Sequence, residues 1–266
     1  MNTPRPAALI TGASSGIGEA FARKLAGSGY RVILVARRKE RLEKLAAELP
    51  GAEIVAADLT ADSDLRSVEQ LIASQPDLEI LVNNAGFGVT GPYYASAIDA
   101  LDRMHRLHVV AVGRLTHAAL QGMVGRSKGN IINVSSVAGF LQMPFSVSYN
   151  ATKAWMNSFT SGLAIELKRM HSPVRVQSLC PGFTITEFHD TLDMDRGSVP
   201  RSLWLTADEV VDASLRGLQR GKLFVVPGWR YRLFVAVLAV LPQSFKRFLA
   251  IKFSRPYGKP KNQSNR

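Results

Sequence analysis

Thr11-Gly12-Ala13-Ser14-Ser15-Gly16-Ile17-Gly18 lies after an apolar run, Ala7-Ala8-Leu9-Ile10, and opens an apolar-periodic stretch from Ile17 to Leu25. That order reads as a strand, a glycine-rich turn and a helix start. Such a turn lets backbone approach a pyrophosphate, and the helix N-terminus adds free N–H groups and a partial positive charge. The spacing is Gly-x-x-x-Gly-x-Gly, not the commoner Gly-x-Gly-x-x-Gly. Glycine clusters also make ordinary turns. The weight of this one comes from its companions further along the chain: Asn83-Asn84-Ala85-Gly86, Ser136 and Tyr149-x-x-x-Lys153.

Along the chain, short apolar runs alternate with helical patterns. The predicted strands are Ala7–Thr11, Arg31–Ala36, Glu53–Ala57, Ile80–Asn83, Asn130–Val134, Arg175–Leu179 and Leu223–Val226. Several are unbroken in Val, Ile, Leu and Ala, as parallel strands covered on both faces should be. The predicted helices are Gly16–Ala26, Lys39–Leu49, Ser63–Ser74, Ala97–Met123, Ser148–Arg169 and Ala207–Arg220. Asp62 or Ser63, and Thr206, have N-cap character. The alternation predicts an α/β fold, a single Rossmann-type doubly wound parallel sheet with helices on both faces, over residues 1–228. Residues 229–266 form an apolar and basic extension. Pro181 to Leu205 lacks periodicity and is long for a loop, as a mobile lid would be.

The 266 residues suit one such domain. The lone Cys180 excludes an internal disulfide framework and has no metal-spaced partner, so a reducing compartment, cytoplasmic, and no metal site are expected. The first strand starts too early to leave room for a targeting peptide. The net charge is +12, and the 12 basic residues after position 212 face no acid there, so the preceding part balances. A basic surface suggests nucleic acid, but this charge lies on an apolar tail without a nucleic-acid module, and no nucleic-acid partner is expected.

Tyr149 and Lys153 are four apart on a helix and share a face. A free phenol titrates near ~10, too high for easy proton transfer at neutral pH, and a neighbouring ammonium favours the phenolate. A hydroxyl such as Ser136 can hold a carbonyl oxygen beside the tyrosine. Such a set suits hydride transfer, in which Tyr149 protonates an oxygen while a reduced nicotinamide attacks the carbon. A Tyr–Lys pair alone is commonplace and usually solvated.

The ordered set of motifs resembles the short-chain dehydrogenase/reductase family in its form of about 250 residues. The matching pieces are Thr11-Gly12-x-x-x-Gly16-x-Gly18, Asp58-Leu59, Asn83-Asn84-Ala85-Gly86, Val134-Ser135-Ser136-x-Ala138-Gly139, Tyr149-x-x-x-Lys153 and Pro181-Gly182, across residues 5–228. The resemblance implies that Ser136 positions the substrate oxygen, Tyr149 is the acid/base, and Lys153 binds ribose and tunes Tyr149. Ser135 competes for the serine role, and the family spacing of thirteen before the tyrosine selects Ser136. Gly12, Ser14, Ser15, Gly16, Ile17 and Gly18 would line the cofactor phosphates. The resemblance also puts Asp58 and Leu59 at the adenine and Asn84, Ala85 and Gly86 along the adenosine. Tyr149 and Lys153, with Pro181, Gly182, the backbone at Thr184 and the side chain of Thr186, would complete the nicotinamide end. One position departs from the pattern: His108 stands where the family has an asparagine that holds a proton-relay water. Either the histidine keeps the relay with a new pH dependence, or the helix backbone holds the water and His108 fills space.

Charge argues for the cofactor. An NAD site needs an acid near the end of the second strand. That strand ends Val35-Ala36-Arg37-Arg38, with Lys39 and Arg41 close behind. Arg37, with Arg38 and Ser14, would bind a 2′-phosphate, which predicts NADP(H). Phe87, Val89, Leu141, Met143, Phe145, Phe183 and Phe188 flank the motifs and suggest a lipophilic carbonyl or alcohol substrate, or else plain core; His189 faces substrate or water. The rival function is a nucleotide-binding sensor or structural protein with little turnover. The tail run Leu233–Leu241 is nine residues before Pro242, too short to span a membrane. It could lie on a membrane surface, pack in a homodimer or homotetramer, or cover its own pocket, and packing is favoured.

Overall fold

The computed structural model describes residues 5–188 and 199–253. His189 and the rest of the middle of the predicted lid, residues 189–198, lie outside the described residues. Among these residues seven parallel strands form one sheet: β1 (Ala7–Thr11), β2 (Arg31–Ala36), β3 (Glu53–Ala56), β4 (Leu78–Asn83), β5 (Asn130–Val134), β6 (Arg175–Leu179) and β7 (Phe224–Val225). Their spatial order is β3-β2-β1-β4-β5-β6-β7. The chain winds outward from β1 in one direction, then returns to β4 and winds the other way. The crevice beyond the carboxyl ends of β1 and β4 is the place where such folds bind ligands.

The unbroken apolar runs are explained by two cores, one on each face. From β1, Ala8 and Ile10 join Phe21, Leu25 and Val210 on one side. Ala7 and Leu9 join Leu65, Val68 and Leu115 on the other. All five β1 residues are buried, so no position in the strand needs a polar side chain for solvent. Each fully buried Leu or Ile contributes about 1.5–3 kcal/mol. The helices that supply these faces are α1 (Gly16–Gly27), α2 (Lys39–Glu48), α3 (Asp62–Ala73), α4 (Ile98–His105), α5 (Val112–Gly125), α6 (Val147–Arg169) and α7 (Ala207–Gln219). Two more, α8 (Trp229–Val240) and α9 (Gln243–Phe253), come after the sheet.

Thr206 caps α7 as expected. Its hydroxyl accepts from the Glu209 N–H at 3.1 Å, and the Glu209 carboxylate accepts from the Thr206 N–H at 2.7 Å. At α3 the expectation fails. Ala61 is the N-cap and makes no side-chain cap, while Asp62 is already helical. The reason is competition: Asp62 pairs with Arg106 across the surface, and Asp64 accepts from the Asp58 N–H at 2.8 Å. The single long helix read over Ala97–Met123 is interrupted. Between α4 and α5 the segment Arg106–Ala111 adopts the wider π turn. Such turns insert an extra residue and often mark functional sites; this one carries His108.

Candidate active site

The turn between β1 and α1 is built on close contact. Gly12 has φ +67°, and a Cβ on Gly18 would lie 2.3 Å from the Gly12 carbonyl oxygen, so neither position accepts a side chain. Thr11 and Asn84 lock the turn to β4. The Asn84 and Ala85 N–H groups donate to the Thr11 hydroxyl at 2.9 and 3.0 Å, and the Asn84 side-chain amide donates to the Thr11 carbonyl at 3.0 Å. Ser15 is the N-cap of α1 yet makes no side-chain bond to the helix, which leaves those N–H groups to an anion. Arg38 arrives from the end of β2. Its Nε and Nη2 donate to the Ser14 hydroxyl at 3.2 and 3.0 Å, and Nη2 donates to Ser15 at 2.8 Å. Free helix donors, two hydroxyls and a guanidinium on one glycine turn fit a phosphorylated dinucleotide.

Arg37 and Arg38 part company. Arg37 is exposed and adds to the positive field on Asp58. Burial alone would raise the Asp58 carboxyl. The Thr60 N–H and hydroxyl, at 3.0 and 2.8 Å, with Arg37 and Arg103, outweigh it and hold the group below its usual range. Leu59 beside it is buried core. Arg38 instead makes a second commitment. Its Nη1 donates to Glu187 at 2.8 Å, and Arg41 pairs with the same carboxylate. The two guanidinium groups hold Glu187 below the usual carboxylate range. Nothing in the local sequence pattern marks Glu187 as a partner of residues so far back in the chain.

The end of β5 and the start of α6 bring the second group together. The Ser136 hydroxyl accepts from the Ala138 N–H at 3.1 Å and donates to the Pro181 carbonyl at 3.4 Å, and it is the neighbouring group that favours the Tyr149 phenolate. Ser135 is buried and turned the other way, donating to the Lys153 carbonyl at 3.0 Å. The Lys153 ammonium donates to the Val134 carbonyl at 2.8 Å and stands 5.7 Å from the centre of the Tyr149 ring. Burial lowers Lys153 to about 8. The expectation that the ammonium sets the phenol low is corrected here. Burial dominates and pushes Tyr149 up to about 12, with Ser136 pulling weakly the other way.

His108 is fully buried between these two groups. Its Nε2 accepts from the Phe87 N–H at 3.3 Å, and its Nδ1 lies 2.9 Å from the Thr152 hydroxyl. That hydroxyl already donates to the Tyr149 carbonyl at 2.8 Å, so Nδ1 must be the donor. Burial, then the Lys153 and His105 charges, hold His108 well below its ordinary value, so it is neutral. Its ring meets Tyr149 edge-on at 5.9 Å. The seven apolar residues flanking the motifs are all half-buried, so they are not plain core. Phe188 lies 5.8 Å from the Tyr149 ring, centre to centre.

The loop after β6 crosses the same crevice. The Ile185 N–H donates to the Leu205 carbonyl at 2.8 Å, and Thr184 bridges to Leu205. The Thr184 hydroxyl donates to the Gly182 carbonyl, and the methyl of Thr186 lies against Gly16. Tyr231 of α8 braces the loop from behind. Its hydroxyl accepts from the Phe183 N–H at 3.0 Å and donates to the Leu203 carbonyl at 2.7 Å. A Cβ on Gly182 would lie 2.0 Å from the Tyr231 ring. Sequence reading missed this brace, because a tyrosine in a basic, apolar helix carries no mark of its partners. No helix among the described residues is long and apolar enough to cross a membrane.

A family model described as short chain dehydrogenase matches residues 6–197. The chain belongs to the short-chain dehydrogenase family. Its members are oxidoreductases of CH–OH and C=O groups that bind a nicotinamide cofactor. This short-chain dehydrogenase is 33% identical to a short-chain dehydrogenase from Sphingobium yanoikuyae in complex with NADPH, covering 96% of this chain and 99% of that one at a TM-score of 0.80. It is 30% identical to a bulky-bulky ketone specific alcohol dehydrogenase from Comamonas testosteroni, covering 99% and 100% at a TM-score of 0.78. A curated relative, the very-long-chain 3-oxoacyl-CoA reductase of Anas platyrhynchos, is 36% identical over 191 residues. That match takes in 68% of this chain and spans only 60% of the relative's length.

Proposed function

We propose that this short-chain dehydrogenase uses NADP(H) to interconvert a bulky, apolar ketone and its secondary alcohol. The observation that carries the reading is the convergence of Ser136, Tyr149 and Lys153 at the crevice, with the Lys153 ammonium 5.7 Å from the centre of the phenol ring and Ser136 favouring the phenolate. Nicotinamide, when bound, supplies or accepts the hydride at the carbonyl carbon. Tyr149 gives its proton to the carbonyl oxygen or takes it from the alcohol. Ser136 donates to the same oxygen and sets it beside the phenol. Lys153 places positive charge next to the phenolate that proton transfer leaves. Gly12, Gly16, Gly18, Ser14, Ser15 and Arg38 would hold the phosphates, Asn84 to Gly86 the adenosine side, and Thr184 to Thr186 the nicotinamide end.

Two features support NADP(H): the missing acid after β2, and the Arg38 guanidinium fixed on the glycine turn. The NADPH in the Sphingobium structure agrees with them. The half-buried residues Phe87, Val89, Leu141, Met143, Phe145, Phe183 and Phe188 support an apolar substrate, in line with the bulky ketone named for the Comamonas enzyme. A panel of bulky, small and polar ketones, monitored by consumption of NADPH or NADH, tests the reading. Bulky ketones with NADPH should turn over fastest. Tight NADPH binding with no turnover on any carbonyl would leave the nucleotide-binding rival in its place.

His108 is a positioning residue in this reading. Both ring nitrogens are committed, one to the Phe87 backbone and one to Thr152, so neither is left to hold a relay water. The ring ties the end of β4 to the turn of α6 that carries Tyr149. In nitrogen-edited NMR, His108 should hold one tautomer, protonated at Nδ1, from about pH 5 to 8. His108→Phe and Thr152→Val should lower kcat to similar extents, with the double variant no worse than either. A His108 signal that titrates with the activity profile would restore the relay.

A further inference from the structure

We propose that Glu187 is a built-in competitor for the 2′-phosphate site and sets how strongly the protein favours NADPH over NADH; the proposal rests on the NADP(H) reading above. Arg38 is the guanidinium that stands on the phosphate turn, bonded to Ser14 and Ser15. Its remaining edge, Nη1, is taken by the Glu187 carboxylate at 2.8 Å. Arg41 binds the other oxygen of the same carboxylate. Glu187 thus receives the charge-assisted contacts that a 2′-phosphate would need: two guanidinium groups, one of them fixed by the glycine turn.

A carboxylate and a phosphate cannot share that pocket without like-charge repulsion. For the phosphate to take Arg38 by its Nη1 edge, Glu187 must swing away. NADH carries a 2′-hydroxyl and makes no such demand. The competition therefore falls on one cofactor only and reduces the selectivity that Arg38 provides. Apparent affinity drops by the fraction of molecules in which the pocket is open, so the carboxylate acts as a fixed tax on NADPH alone. Glu187 sits between Thr186, whose methyl lies against Gly16, and Phe188, which packs against Tyr149. Displacing it moves the segment that touches both ends of the crevice.

The ion pairs are half-exposed, so the expected effect is modest. Glu187→Gln should tighten NADPH binding about three- to tenfold by calorimetry and leave NADH affinity unchanged. Glu187→Lys should tighten NADPH further. Both variants change a half-exposed surface side chain, and unchanged melting temperatures would show that the fold is kept. Unchanged or weaker NADPH binding by Glu187→Gln overturns the proposal, since Glu187 would then stand aside or assist. The cofactor reading is tested separately by the wild type: tighter binding of NADH than of NADPH overturns that reading whatever the variants do.

Discussion

Tyr149→Phe is expected to cut turnover by at least about a hundredfold while NADPH binding survives. The substitution removes one oxygen and leaves a ring of the same shape against His108 and Phe188, so α6 keeps its packing. The lost atom is the one that carries the proton. Near-normal turnover would show that another group is the acid. The pH dependence has a definite sign. Lys153 is lowered to about 8 by burial, so its ammonium is present below that pH and lost above it. In the reductive direction kcat/KM, which reports the free enzyme, should fall as pH rises through about 8. Tyr149, raised to about 12, keeps its proton throughout that range and adds no limb of its own.

The second large effect is on cofactor choice. Arg38→Gln should weaken NADPH about tenfold to a hundredfold, the scale of one lost charge-assisted contact at about 1.5–3 kcal/mol. NADH should bind nearly as before. Arg37→Gln should cost NADPH less. Arg37 is exposed and faces Asp58, whereas Arg38 is bonded to both serines of the glycine turn. Titration of both variants with both cofactors checks this. Equal losses for NADPH and NADH in Arg38→Gln would mean that the residue supports the turn and not the 2′-phosphate.

The strands were legible because burial on both faces leaves long apolar runs in several of them; β1, β2, β5 and β6 have the ends read from the chain. The misread boundaries have physical causes. At α3 the candidate cap was taken by an ion pair formed with a residue more than forty positions away. In the Ala97–Met123 stretch one inserted turn leaves the apolar periodicity nearly intact, so a wide turn is invisible in one dimension. The catalytic candidates were readable as types at fixed spacings. Their electrostatics were not, because the phenol responds chiefly to burial, which depends on the whole fold. His108 was visible as a departure, but its tautomer is set by Thr152 and Phe87 together. Glu187 and Tyr231 gave no signal, since each acts on residues distant in the chain.

The Tyr231 brace sets a timetable for the nascent chain. The glycine turn emerges first from the ribosome, but the loop that faces it gains its rear support only once α8 is out, more than two hundred residues later. The loop's contacts back toward the turn span long stretches, 149 residues from Arg38 to Glu187, and such contacts form late and slowly. During synthesis the early strands stand with their crevice unfinished. A chain halted before residue 231 would leave the Phe183 N–H and the Leu203 carbonyl without their partner, beside a ring-sized gap at Gly182. Competence to bind and to turn over therefore waits until α8 has emerged, well after the glycine turn.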